Sequence, residues 1–110
     1  MSDQNTQDRI HKMVTENPIV LFMKGTPDAP QCGFSAVTSN ILKDVGVPFA
    51  AFNVLSDQSV REGVKVYGSW PTIPQLYVHG ELVGGCDIVR DLYEQGEIEA
   101  VLRGNEGTEG

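Results

Sequence analysis

Two cysteines, Cys32 and Cys86, and the residues around them hold most of the side chains that could do chemistry. Cys32 follows the stretch Lys24-Gly25-Thr26-Pro27-Asp28-Ala29-Pro30-Gln31 and precedes Gly33-Phe34-Ser35. An apolar run, Ile19 to Met23, comes before it. Residues at helical spacing come after: Phe34, Val37, Ile41, Leu42 and Val45. A thiol therefore falls where a strand hands over to a helix, just inside the helix N-terminus. Unpaired backbone N–H groups and the helix dipole favour an anion there, so the position predicts a thiolate with a lowered pKa. Lys24, at the end of the strand, adds a positive charge. The alternative is a buried, inert cysteine, a common fate for a free thiol. Neither cysteine belongs to a Cys-x-x-Cys pair, and His11 and His79 lack the spacing of a zinc site.

Two further stretches could build a ligand site beside Cys32. In Trp70-Pro71-Thr72-Ile73-Pro74, the proline stands immediately before a strand. On pattern alone a trans proline opening that strand is the simpler reading. A cis bond would turn the N–H and C=O of Ile73 outward, where an extended peptide could pair with them. In Gly84-Gly85-Cys86-Asp87, a glycine pair before a helix allows close backbone approach, and the first N–H groups can hold a carboxylate. Asp87 could hold an ammonium group instead. The plainer alternative is a glycine turn with Asp87 as N-cap. Lys24 for a carboxylate, the Ile73 backbone for a peptide bond and Cys86–Asp87 for an α-amino acid head would then surround one thiol. Glutathione carries those groups.

The elements that must position these residues follow from periodicity. Thr6 to Glu16 carries Ile10, Met13 and Val14 on one face and reads as an amphipathic helix, with His11 exposed on it. Pro18 marks its end. Ile19 to Met23 is apolar throughout, as suits a strand covered on both faces. Gly25 to Gln31 is a Gly- and Pro-rich, partly stiffened loop. A helix follows over Gly33 to Val45, closed by Gly46. Pro48 to Val54 reads as a second strand, and Ser56 or Asp57 caps a helix reaching Tyr67, with Val60, Val64 and Tyr67 facing inward. Gln75–Val78 and Glu81–Val83 flank His79-Gly80, the signature of a tight hairpin. A helix over about Asp87 to Gln95 turns Ile88, Val89, Leu92 and Tyr93 inward, and a short helix, Glu97 to Leu102, completes the domain. The βαβ start predicts a parallel pair with a right-handed crossover. We expect an α/β domain: a four-stranded mixed sheet, strand order 2-1-3-4, flanked by helices.

Composition limits what the chain does. At 110 residues it forms one domain with one core, about residues 6 to 102, and a Gly- and Glu-rich tail from Arg103 to Gly110 that reads as disordered. A net charge of −7 argues against binding nucleic acid, which needs clustered Lys and Arg. No apolar run approaches the roughly 18 residues that span a bilayer, so no membrane role is expected. The acidic N-terminus has neither a secretory nor a transit character. Cytoplasmic localisation is the default expectation. Two cysteines are too few for a secreted disulfide scaffold of this size.

Lys-Gly-Thr-Pro…Cys-Gly-Phe-Ser, Trp-Pro-Thr-x-Pro-Gln and Gly-Gly-Cys-Asp occur here in order. Together they resemble the monothiol glutaredoxins, in the short single-domain form. The resemblance implies a thioredoxin-like (glutaredoxin) fold and a cis bond before Pro74. It implies Cys32 as the reactive thiol, and Lys24, Arg61, Ile73, Cys86 and Asp87 as glutathione contacts. Read without the resemblance, Arg61 is as readily a plain surface residue. Ser35 stands where dithiol relatives carry a second cysteine.

Two functions follow. A [2Fe–2S] cluster takes four thiolates. Two chains would supply two Cys32 sulfurs and two glutathiones the rest, giving a cluster-bridged homodimer that carries iron–sulfur clusters to recipients. The resemblance implies the same role, with BolA-like partners. The alternative is a glutathione-dependent thiol–disulfide oxidoreductase that removes glutathione from mixed disulfides, expected to be weak in this class. A plain interaction module with no thiol chemistry is the third reading.

Overall fold

The computed structural model describes residues 3–104. Its elements run α1 (Gln4–Glu16), β1 (Ile19–Met23), β2 (Gly25–Thr26), β3 (Ala29–Pro30), α2 (Gly33–Val45), β4 (Ala50–Asn53), a 3-10 turn (Val54–Ser56), α3 (Gln58–Tyr67), β5 (Gln75–Val78), β6 (Glu81–Gly84), α4 (Cys86–Glu94) and α5 (Ile98–Leu102). The main sheet has the order β4-β1-β5-β6, as expected. β1 pairs in parallel with β4 and antiparallel with β5, and β5 pairs antiparallel with β6. This is the thioredoxin-like arrangement.

β1 explains the layering. All five of its residues are buried. Ile19, Leu21 and Met23 pack on one face with Ile41 and Leu42 of α2, Val89 of α4, and Ile98 and Leu102 of α5. Val20 and Phe22 pack on the other with Ile10 and Val14 of α1 and Val60 and Val64 of α3. A strand with both faces covered needs no polar alternation, which is why its sequence shows none.

Local chemistry fixes the element ends. The Asp3 side chain accepts from Thr6 N–H at 2.8 Å, so α1 starts two residues before the expected Thr6. Asp57, not Ser56, caps α3, accepting from the N–H groups of Ser59 and Val60. Its carboxylate also meets Arg9 at 2.9 Å, tying α1 to α3. At the hairpin, His79 and Gly80 both take positive φ, 51° and 83°, the requirement of a type I′ turn. β4 is shorter than the expected Pro48–Val54, because Val54 turns into the 3-10 segment. The expected loop Gly25 to Gln31 holds the small ribbon β2–β3. Arg103 and Gly104 close α5 through N–H bonds to Glu99 and Val101. The rest of the expected tail lies outside the described residues.

Two helix faces differ from the expected ones. In α2 the first two apolar positions point outward: Phe34 is 61% exposed and Val37 is also exposed. Ser35, Thr38 and Ser39 are buried instead. Thr38 and Ser39 satisfy themselves by donating to the carbonyls of Phe34 and Ala36 in their own helix. In α4, Ile88 and Tyr93 are exposed where an inward face was expected. Tyr93 donates to the Asp44 carboxylate of α2, which holds its ring at the surface.

The fully buried Leu21 packs in one core, whereas Val66 on α3 is half exposed. Leu21→Ala should therefore cost about 2–5 kcal/mol in urea denaturation, and Val66→Ala should stay within about 0.5 kcal/mol.

Candidate functional site

A cleft of about 480 Å³ opens at the C-terminal end of β1. Its lining draws on four places: Lys24 after β1, Cys32 and Phe34 at the start of α2, the segment Trp70–Pro74 before β5, and Gly85–Ile88 at the start of α4, with Lys65 of α3 at one side. The volume lies in the range of small-molecule sites, about 300–1,000 Å³.

Cys32 is the N-cap of α2, one position earlier than the expected place inside the first turn. It is partly exposed. The sulfur makes no formed cap hydrogen bond, yet the Ser35 backbone N–H, then the Phe34 N–H, the Lys24 charge and the Ser35 hydroxyl all hold its pKa below the ordinary thiol range. Partial burial opposes them and does not prevail. The physical cause is that foreseen from sequence: donors at a helix start, with a nearby cation.

The loop before Cys32 is held on several sides. Ser35 Oγ accepts from the Lys24 N–H at 3.0 Å, joining the end of β1 to the first turn of α2. The Lys24 carbonyl accepts from Gln31 N–H at 2.9 Å. Asn53 Oδ1, at the end of β4, accepts from Gly25 N–H at 2.9 Å. Gly25 has φ 93°, and a Cβ there would strike the Ala29 carbonyl and the Gln31 nitrogen at 2.6 Å, so only glycine fits. Lys43 Nζ donates to the Pro27 carbonyl at 2.7 Å, fastening the ribbon tip to α2.

The opposite wall is the segment before β5. The Ile73–Pro74 bond is cis, as the family resemblance implied and the pattern alone did not. Ile73 is buried, with Pro71 and Thr72 exposed beside it. At the cleft's far side, α4 begins at Cys86 with Gly85 as N-cap, so Asp87 lies in the first turn and is not the cap. A Cβ on Gly85 would stand 3.1 Å from the Pro74 carbonyl and 3.4 Å from Trp70 Nε1. The glycine lets α4 start close against the wall. Cys86 is buried, while Asp87 is exposed and meets Arg90 at 3.0 Å.

Of the residues singled out from sequence, Lys24, Cys32, Ile73, Cys86 and Asp87 share this cleft, and Arg61 does not line it. Arg61 Nε is buried without a hydrogen-bond partner. Lys65, one helical turn on, brings a cation to the lining instead. No motif singles it out in the sequence, although its spacing from Arg61 puts both on one side of α3. Among the described residues, no group of three or more His, Cys, Asp and Glu is placed to hold a metal ion within one chain.

In this thioredoxin-like sheet a partly exposed cysteine at the start of the helix after β1 shares one cleft with a cis proline, and this defines the class to which the chain is compared. The Glutaredoxin family model matches residues 19–83. The chain is 53% identical to Probable monothiol glutaredoxin 2 of Rickettsia typhi, over 86% of this chain and 85% of that protein. It is 51% identical to Monothiol glutaredoxin-S11 of rice over 93% of its own length, but spans only 21% of that longer protein. The solution structure of reduced poplar apo GrxS14 superposes with TM-score 0.77 at 46% identity, covering 90% of this chain and 91% of that one. A crystal structure of a buckwheat glutaredoxin–glutathione complex has the same fold, with TM-score 0.80 at 18% identity, covering 93% and 91%. The chain belongs to the glutaredoxin family, in its monothiol branch.

Ser35 is fully buried, and its hydroxyl serves both Lys24 and Cys32. Ser35→Ala leaves the Lys24 N–H unpaired and should destabilise the fold by about 1–3 kcal/mol. It should also raise the Cys32 pKa. The wild-type thiol should alkylate with a pH midpoint below the ordinary value of about 8.5, and the variant's midpoint should move up towards it. The rate of iodoacetamide labelling against pH measures both.

Proposed function

We propose that this glutaredoxin binds glutathione in the cleft and, as a homodimer, carries a [2Fe–2S] cluster held by the Cys32 thiolate of each chain and the thiols of two glutathiones. One observation carries this reading: a single partly exposed, pKa-lowered thiol opens onto a cleft whose rim bears cations on one side and a helix start on the other. Lys24 takes the glycyl carboxylate of glutathione, and Arg61, set back from the lining on α3, adds positive charge behind it. The backbone of Ile73 pairs with its peptide bond. The first turn of α4, at Cys86 and Asp87, takes the γ-glutamyl head, with amides for the carboxylate and the Asp87 carboxylate for the ammonium. Lys65 reinforces the cationic side.

A [2Fe–2S] cluster takes four thiolates, and the chain offers one at the cleft mouth. The hydroxyl at Ser35 is engaged by Lys24 and is no thiol. Ligands must then come from a second chain and from glutathione. Exchangeable external thiols suit a carrier that gives its cluster away, to apo iron–sulfur recipients and in company with a BolA-like partner, as the family resemblance implies. Phe34, exposed beside Cys32, would shield one flank of the cluster. A reducing compartment, by default the cytoplasm, would keep Cys32 free for this work.

The lowered thiol pKa also favours a second activity. The Cys32 thiolate attacks the glutathione sulfur of a mixed disulfide, forming a Cys32–glutathione disulfide and releasing the substrate thiolate. A second glutathione thiolate then attacks the bound glutathione sulfur. Glutathione disulfide leaves and the Cys32 thiolate is restored.

Anaerobic reconstitution with iron, sulfide and glutathione should yield a protein with visible charge-transfer absorption and the mass of a dimer. Colour should be lost when glutathione is omitted and in Cys32→Ser. A colourless wild type, or a cluster kept by Cys32→Ser, would overturn the carrier reading. Turnover of a glutathionylated peptide by a colourless wild type would leave the oxidoreductase as its function.

A further inference from the structure

Gln75 opens β5 and is fully buried, yet it neither lines the cleft nor joins an apolar cluster. A buried primary amide is costly unless its donors and acceptor are met. Here each is met. Nε2 donates to the Trp70 carbonyl at 3.1 Å and to the Thr72 carbonyl at 3.2 Å. Oε1 accepts from the Tyr77 hydroxyl at 3.0 Å. Tyr77 is buried too, and burial pushes its pKa up to about 12, so it stays a donor throughout the working range. Gly68, which ends α3, leaves the room: a Cβ there would press on the Tyr77 hydroxyl and lie 3.3 Å from Gln75 Oε1.

The two carbonyls held by Gln75 belong to cleft-lining residues. Trp70 to Pro74 is neither helix nor strand, so a ladder does not fix its backbone. A side chain with two donors on one nitrogen can fix it at two points, one on each side of Pro71. Ile73, whose backbone the glutathione reading pairs with the ligand, follows directly. We propose that Gln75, oriented by Tyr77, is a positioning residue that sets the wall of the cleft at Trp70–Ile73 and thereby the affinity for glutathione. The proposal rests on the glutathione reading above.

Neither a carboxylate nor an aliphatic side chain at position 75 does the same. A carboxylate accepts but does not donate, and an aliphatic side chain leaves both carbonyls and the Tyr77 hydroxyl unpaired. The thiol is served by other groups, the amides and hydroxyl in the first turn of α2 and Lys24. Affinity and thiol acidity should therefore separate.

The test compares the wild type with Gln75→Met, similar in length and without donors, and with Tyr77→Phe, which loses only the orienting hydroxyl. Glutathione affinity is read by calorimetry, the Cys32 thiolate by absorbance at 240 nm against pH, and folding by circular dichroism. Gln75→Met should weaken glutathione binding on the order of tenfold, and Tyr77→Phe by about threefold, with the Cys32 midpoint unmoved. Unchanged affinity in a folded Gln75→Met overturns the proposal, as does a Cys32 midpoint that shifts along with affinity. If Gln75→Met does not fold, Tyr77→Phe decides: weaker binding supports the proposal, and wild-type affinity overturns it. A wild type that does not bind glutathione fails the glutathione reading itself and the proposal with it, whereas a binding wild type with unaffected variants fails the proposal alone.

Discussion

The Lys24 N–H donates to the Ser35 hydroxyl at 3.0 Å, and the geometry of the site depends on that bond. It ties the last turn-off of β1 to the first turn of α2. The ten residues between must close a loop of fixed span, and the β2–β3 ribbon is the form they take. Cys32 then falls at the N-cap, where the Ser35 and Phe34 amides are free to serve its sulfur. A buried backbone donor left unpaired at this junction would cost as much as a lost cap, so the hydroxyl matters to the fold as well as to the thiol. Ser35 is therefore more than the absence of a second cysteine.

The site is an assembly of ends. β1 ends at Lys24, α2 begins at Cys32, the segment before β5 turns at Ile73–Pro74, and α4 begins at Cys86. Each end leaves backbone groups without partners inside its own element, and these are what a peptide-like ligand needs. The interior holds them steady from both faces of the sheet. Glutathione, with two carboxylates, an ammonium and peptide bonds along a short chain, matches that kind of surface better than a compact or apolar ligand does.

Much of this was legible in sequence because it is local. The unbroken apolar run of β1, the His79-Gly80 turn and the cap at Asp57 each follow from a few adjacent residues. The acidity of the Cys32 thiol follows from its place at a strand–helix junction. What was not legible is tertiary. The inward face of α2 holds Ser35, Thr38 and Ser39 in place of Phe34 and Val37, because their hydroxyls find partners at Lys24 and at carbonyls of the helix itself and so can be buried. Lys65 reaches the cleft and Arg61 does not, a difference of one turn that only the placement of α3 decides. The task of Gln75 was invisible for the same reason, since its partners lie outside any regular pattern. The cis bond before Pro74 was given by likeness to a family, not by the residues alone.

The central claim is that the poised thiol and the ends around it form one glutathione site. A titration of uniformly 15N-labelled protein with reduced glutathione, followed by amide chemical shifts, tests it most directly. We predict saturable shifts confined to Lys24, Cys32–Ser35, the α3 face bearing Lys65, Thr72–Ile73 and Gly85–Asp87, with α1 and the His79-Gly80 turn unmoved. Shifts centred on that turn or on α1, or no saturable shifts at millimolar glutathione, would contradict it.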